Sequence, residues 1–370
     1  MKWFVVIAAL LAALLAGHAE GSEEIKPLEL GSPAPDFELP GVDGKNYRLK
    51  DFADAKLLVM IFTCNHCPTA QAYEERIKKL VSDYKEKGVA LVAISPNDPL
   101  AVRLDELGYT DLSDSLEENK IRAKDHAFNF PYLYDGDKQE VSEAYGPRAT
   151  PHVFIFDKDR RLRYRGGIDD SERIDRVKKH HVRNALDALL AGKEIPANDT
   201  PTFGCSIKWS SKRDSVKEWM KKAAAEEVRV EKIGPDAVKA LLKNESNKLR
   251  LINFWETRCG PCQTEFPELV TINRMYRGRN FEMVTISVDD PAHEEKVLSF
   301  LKGHQASCRN LLFENADKNL LVEATNKEWM GAVPLTLLVR PGGEIVYRQL
   351  GPIDPLEAKR AVVKILGRTY

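Results

Sequence analysis

Four of the six cysteines in this 370-residue chain form two C-x-x-C pairs. The first pair is Cys64 and Cys67, and the second is Cys259 and Cys262. Cysteines at this spacing lie on one face of a helix, within reach of a disulfide. At a helix start, unpaired N–H groups and the helix dipole favour a thiolate on the first sulfur. The pattern therefore predicts thiol–disulfide exchange, in which Cys64 and Cys259 attack and Cys67 and Cys262 resolve the mixed disulfide.

The same order of predicted elements surrounds both cysteine pairs. Each pair follows an apolar run and precedes a helical pattern, and an X–Pro dipeptide later leads into a strand, a turn, a returning strand and a final helix. The apolar runs are residues 57–62 and 251–255, the first helices 69–87 and 263–276 (the latter interrupted by Pro267), and the final helices 171–190 and 355–366. This repetition predicts an α/β chain of two tandem domains, each a mixed sheet flanked by helices.

A turn-rich break and a charged, helix-prone stretch separate the two copies. We predict a first domain over residues 28–193, a linker with a spacer helix over 194–230, and a second domain over 231–370. The polar stretch 97–129 is predicted to be an insertion in the first domain, partly helical.

The N-terminus has the pattern of an export signal. Met1 and Lys2 precede an apolar run from Trp3 to Gly17, and acidic residues follow Ala19. The run is slightly shorter than the roughly 20 apolar residues that a membrane span needs, so we expect cleavage after Ala19. An uncleaved anchor would also leave the chain outside the cytoplasm. We therefore expect a periplasmic or otherwise extracytoplasmic protein.

The charge balance argues against nucleic-acid binding. The chain has 55 Lys and Arg against 56 Asp and Glu, a formal net charge of −1. Such a chain has no general excess of positive charge to neutralise phosphates.

The cysteine pairs and the two X–Pro dipeptides resemble the thioredoxin superfamily over nearly the whole mature chain. The resemblance implies that both bonds, Thr150-Pro151 and Val333-Pro334, are cis, an isomer found in about 5–6% of X–Pro bonds. It also implies that these four residues contact the substrate peptide, with the residue before proline pairing its backbone to it. Each C-x-x-C pair would then be a redox-active disulfide.

The second half is similar to TlpA/ResA-type thiol–disulfide oxidoreductases over residues 254–267. The resemblance places Glu265 where that group often carries a buried acid that moves protons for the buried thiol. The alternative is a solvated carboxylate in the first turn of the helix. Two departures from the pattern are Arg258 in place of tryptophan and Asn253 in place of the buried aspartate of ordinary thioredoxins.

The first half looks like a redoxin or AhpC/TSA-type domain at residues 31–39. His66, between its two cysteines, can donate to the Cys64 sulfur or, when protonated, lie near it and stabilise the thiolate. Stabilising the thiolate makes the disulfide more oxidising, so we predict that the first domain is the more oxidising half. An exposed imidazole is the alternative.

Cys205 and Cys308 are expected to be structural thiols, with a resolving role for Cys205 as the alternative.

These features predict an exported thiol–disulfide oxidoreductase. Its partners would be cysteines of other envelope proteins and an upstream thiol donor or acceptor. The sequence shows no phosphate-binding loop, nucleophile elbow or zinc-binding helix motif, so we expect no cofactor and no bound metal.

Two other functions compete with this prediction. A redoxin-type thiol peroxidase is suggested by the start of the first domain, although neither pair has the Pro-x-x-x-Thr-x-x-Cys arrangement of peroxidases. A Cu(I)-binding module is the third hypothesis, because thiolates favour Cu(I). His152 is the downstream candidate ligand for such a site.

Overall fold

The computed structural model describes residues 25–325 and 329–369. The predicted export signal, residues 1–19, lies outside the described residues. In the described part of the chain, no helix has the length and apolar character that crossing a membrane requires.

A five-stranded mixed sheet forms the centre of the first half. The strands of this half are β1 (Glu38–Pro40), β2 (Asn46–Arg48), β3 (Leu57–Phe62), β4 (Val89–Ser95), β5 (Tyr132–Tyr134), β6 (Ala149–Thr150), β7 (His152–Phe156), β8 (Leu162–Gly166) and β9 (Cys205–Ser206). The central sheet has the order β5-β4-β3-β7-β8, with β3, β4 and β5 parallel to one another and β7 antiparallel to both β3 and β8. β1 pairs with β2, and β6 pairs with β9.

The helices of the first half are α1 (Pro68–Tyr84), α2 (Leu116–Asp125), α3 (Glu140–Tyr145) and α4 (His181–Leu190). The predicted helix over 171–190 is wrong in its first half, because α4 begins only at His181. Asp169 and Asp170 hold the preceding residues in a loop. Asp169 binds the side chains of Arg76 and His180, and Asp170 accepts from the backbone N–H of Lys178.

A six-stranded mixed sheet forms the centre of the second half. Its strands are β10 (Glu231–Ile233), β11 (Leu249–Trp255), β12 (Phe281–Ser287), β13 (Arg309–Phe313), β14 (Leu335–Val339) and β15 (Ile345–Leu350), in the order β10-β13-β12-β11-β14-β15. The remaining helices are α5 (Arg213–Ala224), α6 (Pro235–Lys243), α7 (Gly260–Tyr276), α8 (Glu294–Gly303), α9 (Lys318–Thr325) and α10 (Pro355–Leu366). The prediction that Pro267 interrupts the helix is wrong, because α7 continues through this residue. Phe266 and Leu269, on either side, are fully buried and hold the helix in the core.

The central strand of the first half, β3, is buried on both faces, which explains its unbroken apolar sequence. In β3, Val59 and Ile61 pack into one apolar cluster, while Leu58, Met60 and Phe62 pack into another on the opposite face. Successive side chains of a strand point to opposite faces, so only a sheet covered by helices or loops on both sides uses such a run. The strand therefore has a fixed register, and this fixes the position of the cysteine pair that follows it.

The insertion at residues 97–129 joins the two halves. Val102 and Leu107 are buried in the apolar cluster that contains Leu251 and Leu269 of the second half. Close by, Tyr276 Oη donates to the carbonyl oxygen of Thr110 at 2.7 Å. The insertion is therefore part of an interface and is not a free surface loop.

Candidate redox sites

The second cysteine pair lies where β11 ends and α7 begins. Cys259 is the N-cap of α7, and its Sγ accepts a hydrogen bond from the backbone N–H of Cys262 at 3.1 Å. The two cysteines are joined by a disulfide. Cys259 Sγ lies 3.6 Å from the carbonyl oxygen of Val333, and the Val333-Pro334 bond is cis. The structure thus brings all four predicted residues of this site together.

The second site is open on the side of Cys259. Arg258, Gly260 and Pro261 are exposed and Cys259 is partly exposed, whereas Cys262 is fully buried. Of the two cysteines of this pair, Cys259 is therefore the one that can be reached from the surface.

Glu265 is a buried acid, and the solvated alternative is wrong. The side chain is 4% exposed. Its Oε1 accepts from Asn253 Nδ2 at 2.9 Å, and its Oε2 accepts from the backbone N–H of Ile353 at 2.8 Å. Burial raises the pKa of Glu265 more than these two hydrogen bonds lower it. Asn253 supplies a neutral donor here, where an aspartate would place a second carboxylate beside the first.

In the first half the helix begins at a different cysteine. β3 ends at Phe62 and α1 begins at Pro68, so the N-cap is Cys67. Its Sγ accepts from the backbone N–H of Ala70 at 3.5 Å. The expectation that Cys64 lies at the helix N-terminus is therefore wrong.

Two features explain why α1 begins after the second cysteine of its pair, whereas α7 begins after the first. Asp114 Oδ1 accepts from the backbone N–H groups of Asn65 (2.8 Å) and His66 (3.1 Å), so neither of these donors requires a helix. Pro68 then occupies the first helical position, which suits proline because its φ angle is fixed and it has no N–H to satisfy. Pro68 was the one signal in the sequence that could have located this start.

The first cysteine pair is buried and surrounds Thr150. Cys64 and Cys67 are free thiols, 3% and 0% exposed. Cys64 Sγ is 3.1 Å from Thr150 Oγ1, and Cys67 Sγ is 3.2 Å from the Thr150 carbonyl oxygen. The Thr150-Pro151 bond is cis, as the resemblance implies. The predicted residues are again together, but the pair is not open to solvent.

The electrostatics of this site favour a thiolate on Cys67. Burial raises the pKa of Cys64 well above the usual thiol value, and its hydrogen bond to Cys67 adds to this. Burial also opposes ionisation of Cys67, but hydrogen bonds from the thiols of Cys205 and Cys64 and the nearby charge of His66 together bring its pKa well below the usual value. This differs from the sequence prediction, in which Cys64 is the attacking cysteine.

His66 forms an ion pair inside the first site. Its Nδ1 lies 2.5 Å from Asp114 Oδ2, and both side chains are almost fully buried. Burial alone would lower the pKa of His66, but the Asp114 carboxylate outweighs it and the pKa is raised. The exposed-imidazole alternative is therefore wrong. Among the described residues no hydrogen bond joins His66 to Cys64. The charge of His66 helps to lower the pKa of Cys67.

One cluster of potential metal ligands lies in this site. Ligand atoms of Cys64, His66 and Asp114 are within 4.8 Å of one another. The ion pair already uses His66 Nδ1 and a carboxylate oxygen. His152 is not part of the cluster: its Nδ1 accepts from the backbone N–H of Arg148 at 3.1 Å, and burial lowers its pKa to about 3.

Comparisons with known proteins agree with the repeated architecture. The AhpC/TSA family matches residues 30–165 and again residues 221–348, which together make up more than half of the chain. The chain belongs to the AhpC/TSA family. Two matches in one chain confirm the predicted pair of thioredoxin-like domains.

Two curated relatives are similar to parts of this AhpC/TSA chain. Thiol-disulfide oxidoreductase ResA of Bacillus thuringiensis subsp. konkukian (strain 97-27) is 27% identical over 163 residues, which cover 44% of this chain and 78% of ResA. Thiol:disulfide interchange protein HelX of Rhodobacter capsulatus is 26% identical over 188 residues, which cover 48% of this chain and 83% of HelX.

Two solved structures are similar to about half of the chain. A hypothetical protein from Sinorhizobium meliloti 1021 is 36% identical, with 50% of this chain and 97% of that chain covered and a TM-score of 0.44. An uncharacterized conserved protein from Geobacillus kaustophilus is 39% identical, with 49% and 93% covered and a TM-score of 0.43.

Sequence reasoning missed Asp114 of the first AhpC/TSA-type site and gave a resolving role for Cys205 only as the alternative. Asp114 lies 48 residues after His66, in the polar insertion, where nothing in the sequence marks it. Cys205 was expected to be structural, yet its backbone N–H donates to Cys67 Sγ at 3.3 Å. Cys308 is elsewhere: its Sγ donates to Asn310 Oδ1 at 3.2 Å, and burial raises its pKa to about 12.

Proposed function

We propose that this chain is an exported thiol–disulfide oxidoreductase that exchanges disulfides with cysteines of other envelope proteins. The observation that carries the proposal is the Cys259–Cys262 disulfide at the start of α7, beside Val333, with exposed residues around Cys259. The names of the relatives ResA and HelX support thiol–disulfide chemistry. The apolar N-terminal segment supports export.

The second site is the one that meets client proteins. In the reducing direction, the Cys259 thiolate attacks a client disulfide, one client sulfur leaves with the electron pair, and a mixed disulfide forms. Cys262 then gives up its proton and attacks Cys259, which closes the Cys259–Cys262 disulfide and releases the second client thiolate. Each cycle transfers two electrons to the client, and an upstream thiol protein must return them. Run backwards, the same steps oxidise a client dithiol.

Glu265 is placed to assist the buried thiol. Cys262 lies one helical turn before it on α7, and both side chains are buried. A carboxyl group with a raised pKa exchanges a proton nearer to neutral pH than an exposed glutamate does, which suits it to accept the Cys262 proton. Asn253 and Ile353 fix its orientation.

A trapping experiment in the host cell tests the proposal. The full-length Cys262→Ser variant cannot resolve its mixed disulfides, so we expect it to retain envelope proteins through Cys259 in adducts that a reductant releases. The double variant Cys259→Ser/Cys262→Ser should retain none, and Cys308→Ser should behave like the unaltered chain. Adducts confined to cytoplasmic proteins, or no adducts at all, would contradict the proposal.

A thiol peroxidase is the second candidate, and one observation favours it. Cys67 lies at a helix N-terminus with a lowered pKa, the environment of a reactive thiolate. If this candidate is correct, the reduced chain consumes peroxide with saturable kinetics, and Cys67→Ser abolishes the consumption. Unchanged peroxide consumption in Cys67→Ser rules this candidate out.

A further inference from the structure

We propose that Cys205 is a third redox-active cysteine, and that residues 203–208 occupy the first site as an internal peptide substrate for Cys67. This inference deepens the thiol–disulfide exchange function proposed above and rests on it. It assigns Cys67 a second covalent partner, Cys205, in addition to Cys64 of the C-x-x-C pair.

The backbone of β9 holds Cys205 against the first site. β9 pairs antiparallel with β6, and the register sets Thr150 opposite Cys205 and Ala149 opposite Ser206. Thr150 also contacts both sulfurs of the C-x-x-C pair. An extended peptide added to a strand edge is a recurring way to present side chains to a binding site. Here the added peptide belongs to the same chain, and the side chain presented is a thiol.

Gly204 permits this close approach. Its φ angle is +140°, in a region that favours glycine. A Cβ at this position would lie 2.0 Å from the Thr150 carbonyl oxygen, a distance that real Cβ atoms do not reach. Any other residue before Cys205 would therefore push β9 away from β6.

Cys205 lies beside Cys67. The Cys205 backbone N–H donates to Cys67 Sγ at 3.3 Å. Cys67 and Cys64 form one buried cluster with Ala70, and Cys205 packs against it. Cys67 thus has a thiol neighbour on each side, with Cys64 in its own loop and Cys205 on β9.

The segment after Cys205 is anchored to the first domain. Ile207 is 1% exposed. Lys208 donates its backbone N–H to Asn97 Oδ1 at 2.9 Å, accepts from the Asp98 N–H at 3.0 Å, and pairs its Nζ with Glu106 at 2.6 Å. These contacts return Cys205 to the same place after each reaction.

Among the described residues, a strand (β9) covers the cysteine pair only in the first half. In the described part of the second half, Val333 belongs to no strand pair, and Cys259 is partly exposed. The equivalent Thr150 in the first half is fully buried beneath β9. The first site therefore exchanges electrons within the chain before any outside protein reaches Cys67.

The proposed step is an isomerisation of one disulfide and needs no further oxidant. With Cys64 and Cys67 oxidised, the Cys205 thiol loses its proton and its sulfur attacks Cys67 Sγ. The Cys64–Cys67 bond breaks, the Cys67–Cys205 bond forms, and Cys64 leaves with the electron pair and takes up a proton. The number of disulfides is unchanged, and the reverse step restores the starting state.

Disulfide mapping of the Cys64→Ser variant tests the proposal. The full chain is oxidised with glutathione disulfide, quenched with acid, digested with trypsin and analysed by mass spectrometry. Trypsin releases Cys67 in peptide 57–76 and Cys205 in peptide 194–208. We expect these two peptides to be linked in the major oxidised form. The link should persist when Cys308→Ser is added and be lost when Cys205→Ser is added. Cys67 joined to glutathione, with Cys205 free, overturns the proposal.

Disulfide mapping of the unaltered chain distinguishes a failure of this proposal from a failure of the oxidoreductase function on which it rests. At intermediate ratios of reduced to oxidised glutathione, we expect both an internal disulfide in peptide 57–76 and the link between 57–76 and 194–208. An internal disulfide without any link overturns the role of Cys205 alone. Absence of every disulfide in peptide 57–76, together with failure of Cys259 to trap clients, overturns the oxidoreductase function itself. This measurement uses no substitution, so it also applies if Cys64→Ser fails to fold.

Discussion

Asp114 raises the pKa of His66, and the charge of His66 in turn helps to lower the pKa of Cys67. Burial raises the pKa of Asp114, but the charge of His66 and hydrogen bonds from His66, Asn97 and Asn65 outweigh it, so the pKa is lowered. The lowered pKa of Asp114 gives stability that is present above about pH 3.8 and is lost as the pH falls through the folded-state pKa. The raised pKa of His66 gives stability that is present below about pH 6.5 and is lost as the pH rises through the folded-state pKa. The pair therefore stabilises the fold most between these two values.

We predict that Asp114→Asn destabilises the protein more at pH 5.5 than at pH 8.5. Above pH 6.5 the advantage of the unaltered chain should shrink by up to about 1.4 kcal/mol per pH unit, until the folded-state pKa of His66 is passed. Urea unfolding of both proteins at each pH measures the difference. The matched control is Asp175→Asn, an exposed carboxylate beside Arg173, which should show no such pH dependence. An equal loss of stability at both pH values would contradict the ion pair.

Glu265 gives a second prediction at the residue scale. Glu265→Gln removes the buried proton acceptor, and we expect the rate of client disulfide reduction through Cys259 to fall by about 100-fold. The inflection that the Glu265 carboxyl contributes above pH 4.5 should also disappear from the pH–rate profile. Insulin reduction by the Cys67→Ser chain isolates the second site for this measurement. Glu268→Gln, an exposed position on the same helix, is the control. Matching profiles for the two variants would remove Glu265 from the mechanism.

At the scale of elements, β9 controls access to the first cysteine pair. It is only two residues long, and it pairs with an equally short strand, β6. Such a small ladder is marginal by itself. Its position depends on the neighbouring anchor at Lys208 and on the absence of a side chain at Gly204.

We predict that Gly204→Ala opens the first site. The new Cβ cannot fit beside the Thr150 carbonyl oxygen, and the φ angle of +140° strains any side chain. We expect a loss of about 1–3 kcal/mol in the free energy of unfolding and faster alkylation of Cys67. Gly192→Ala is the control, because Gly192 also has a positive φ angle but has nothing within 4 Å of the added Cβ. Similar alkylation rates in both variants would show that β9 does not cover Cys67.

The sequence predicted the elements whose own periodicity determines them. The strand over 57–62 and the helix over 355–366 have the predicted bounds, because burial on two faces and an N-terminal proline leave a clear local pattern. The helix over 171–190 was wrong because two carboxylates hold its first half as a loop. The resemblance located both X–Pro positions, but no local pattern could locate Asp114 or Cys205. Each reaches the first site through a contact between distant parts of the chain.

At the scale of the molecule, one loop touches both halves. Asp114 lies in the first site, while Asp111, three residues earlier, pairs with Arg368 at 2.7 Å and lies 3.6 Å from Arg360, both from the end of the chain. The carbonyl of Thr110 binds Tyr276. A change in how the halves pack must therefore move the loop that holds His66.

We predict that Leu107→Asp uncouples the two halves. Leu107 is 6% exposed in the shared apolar cluster, so a carboxylate there should cost about 3 kcal/mol or more. Calorimetry should show one unfolding transition in the unaltered chain and two separated transitions in the variant. Leu100→Asp, in the same insertion but 64% exposed, is the control. Identical traces for the two variants would mean that the cluster does not join the halves.

The strand that covers the first site is synthesised long after the thiols beneath it. Cys67 and Cys205 are 138 positions apart. At roughly 5–20 residues per second, a ribosome needs roughly 7–28 s to add that length of chain. During this interval the nascent thiols of Cys64 and Cys67 have no cover. Any oxidant that reaches the chain during this interval therefore meets both thiols before β9 can cover them.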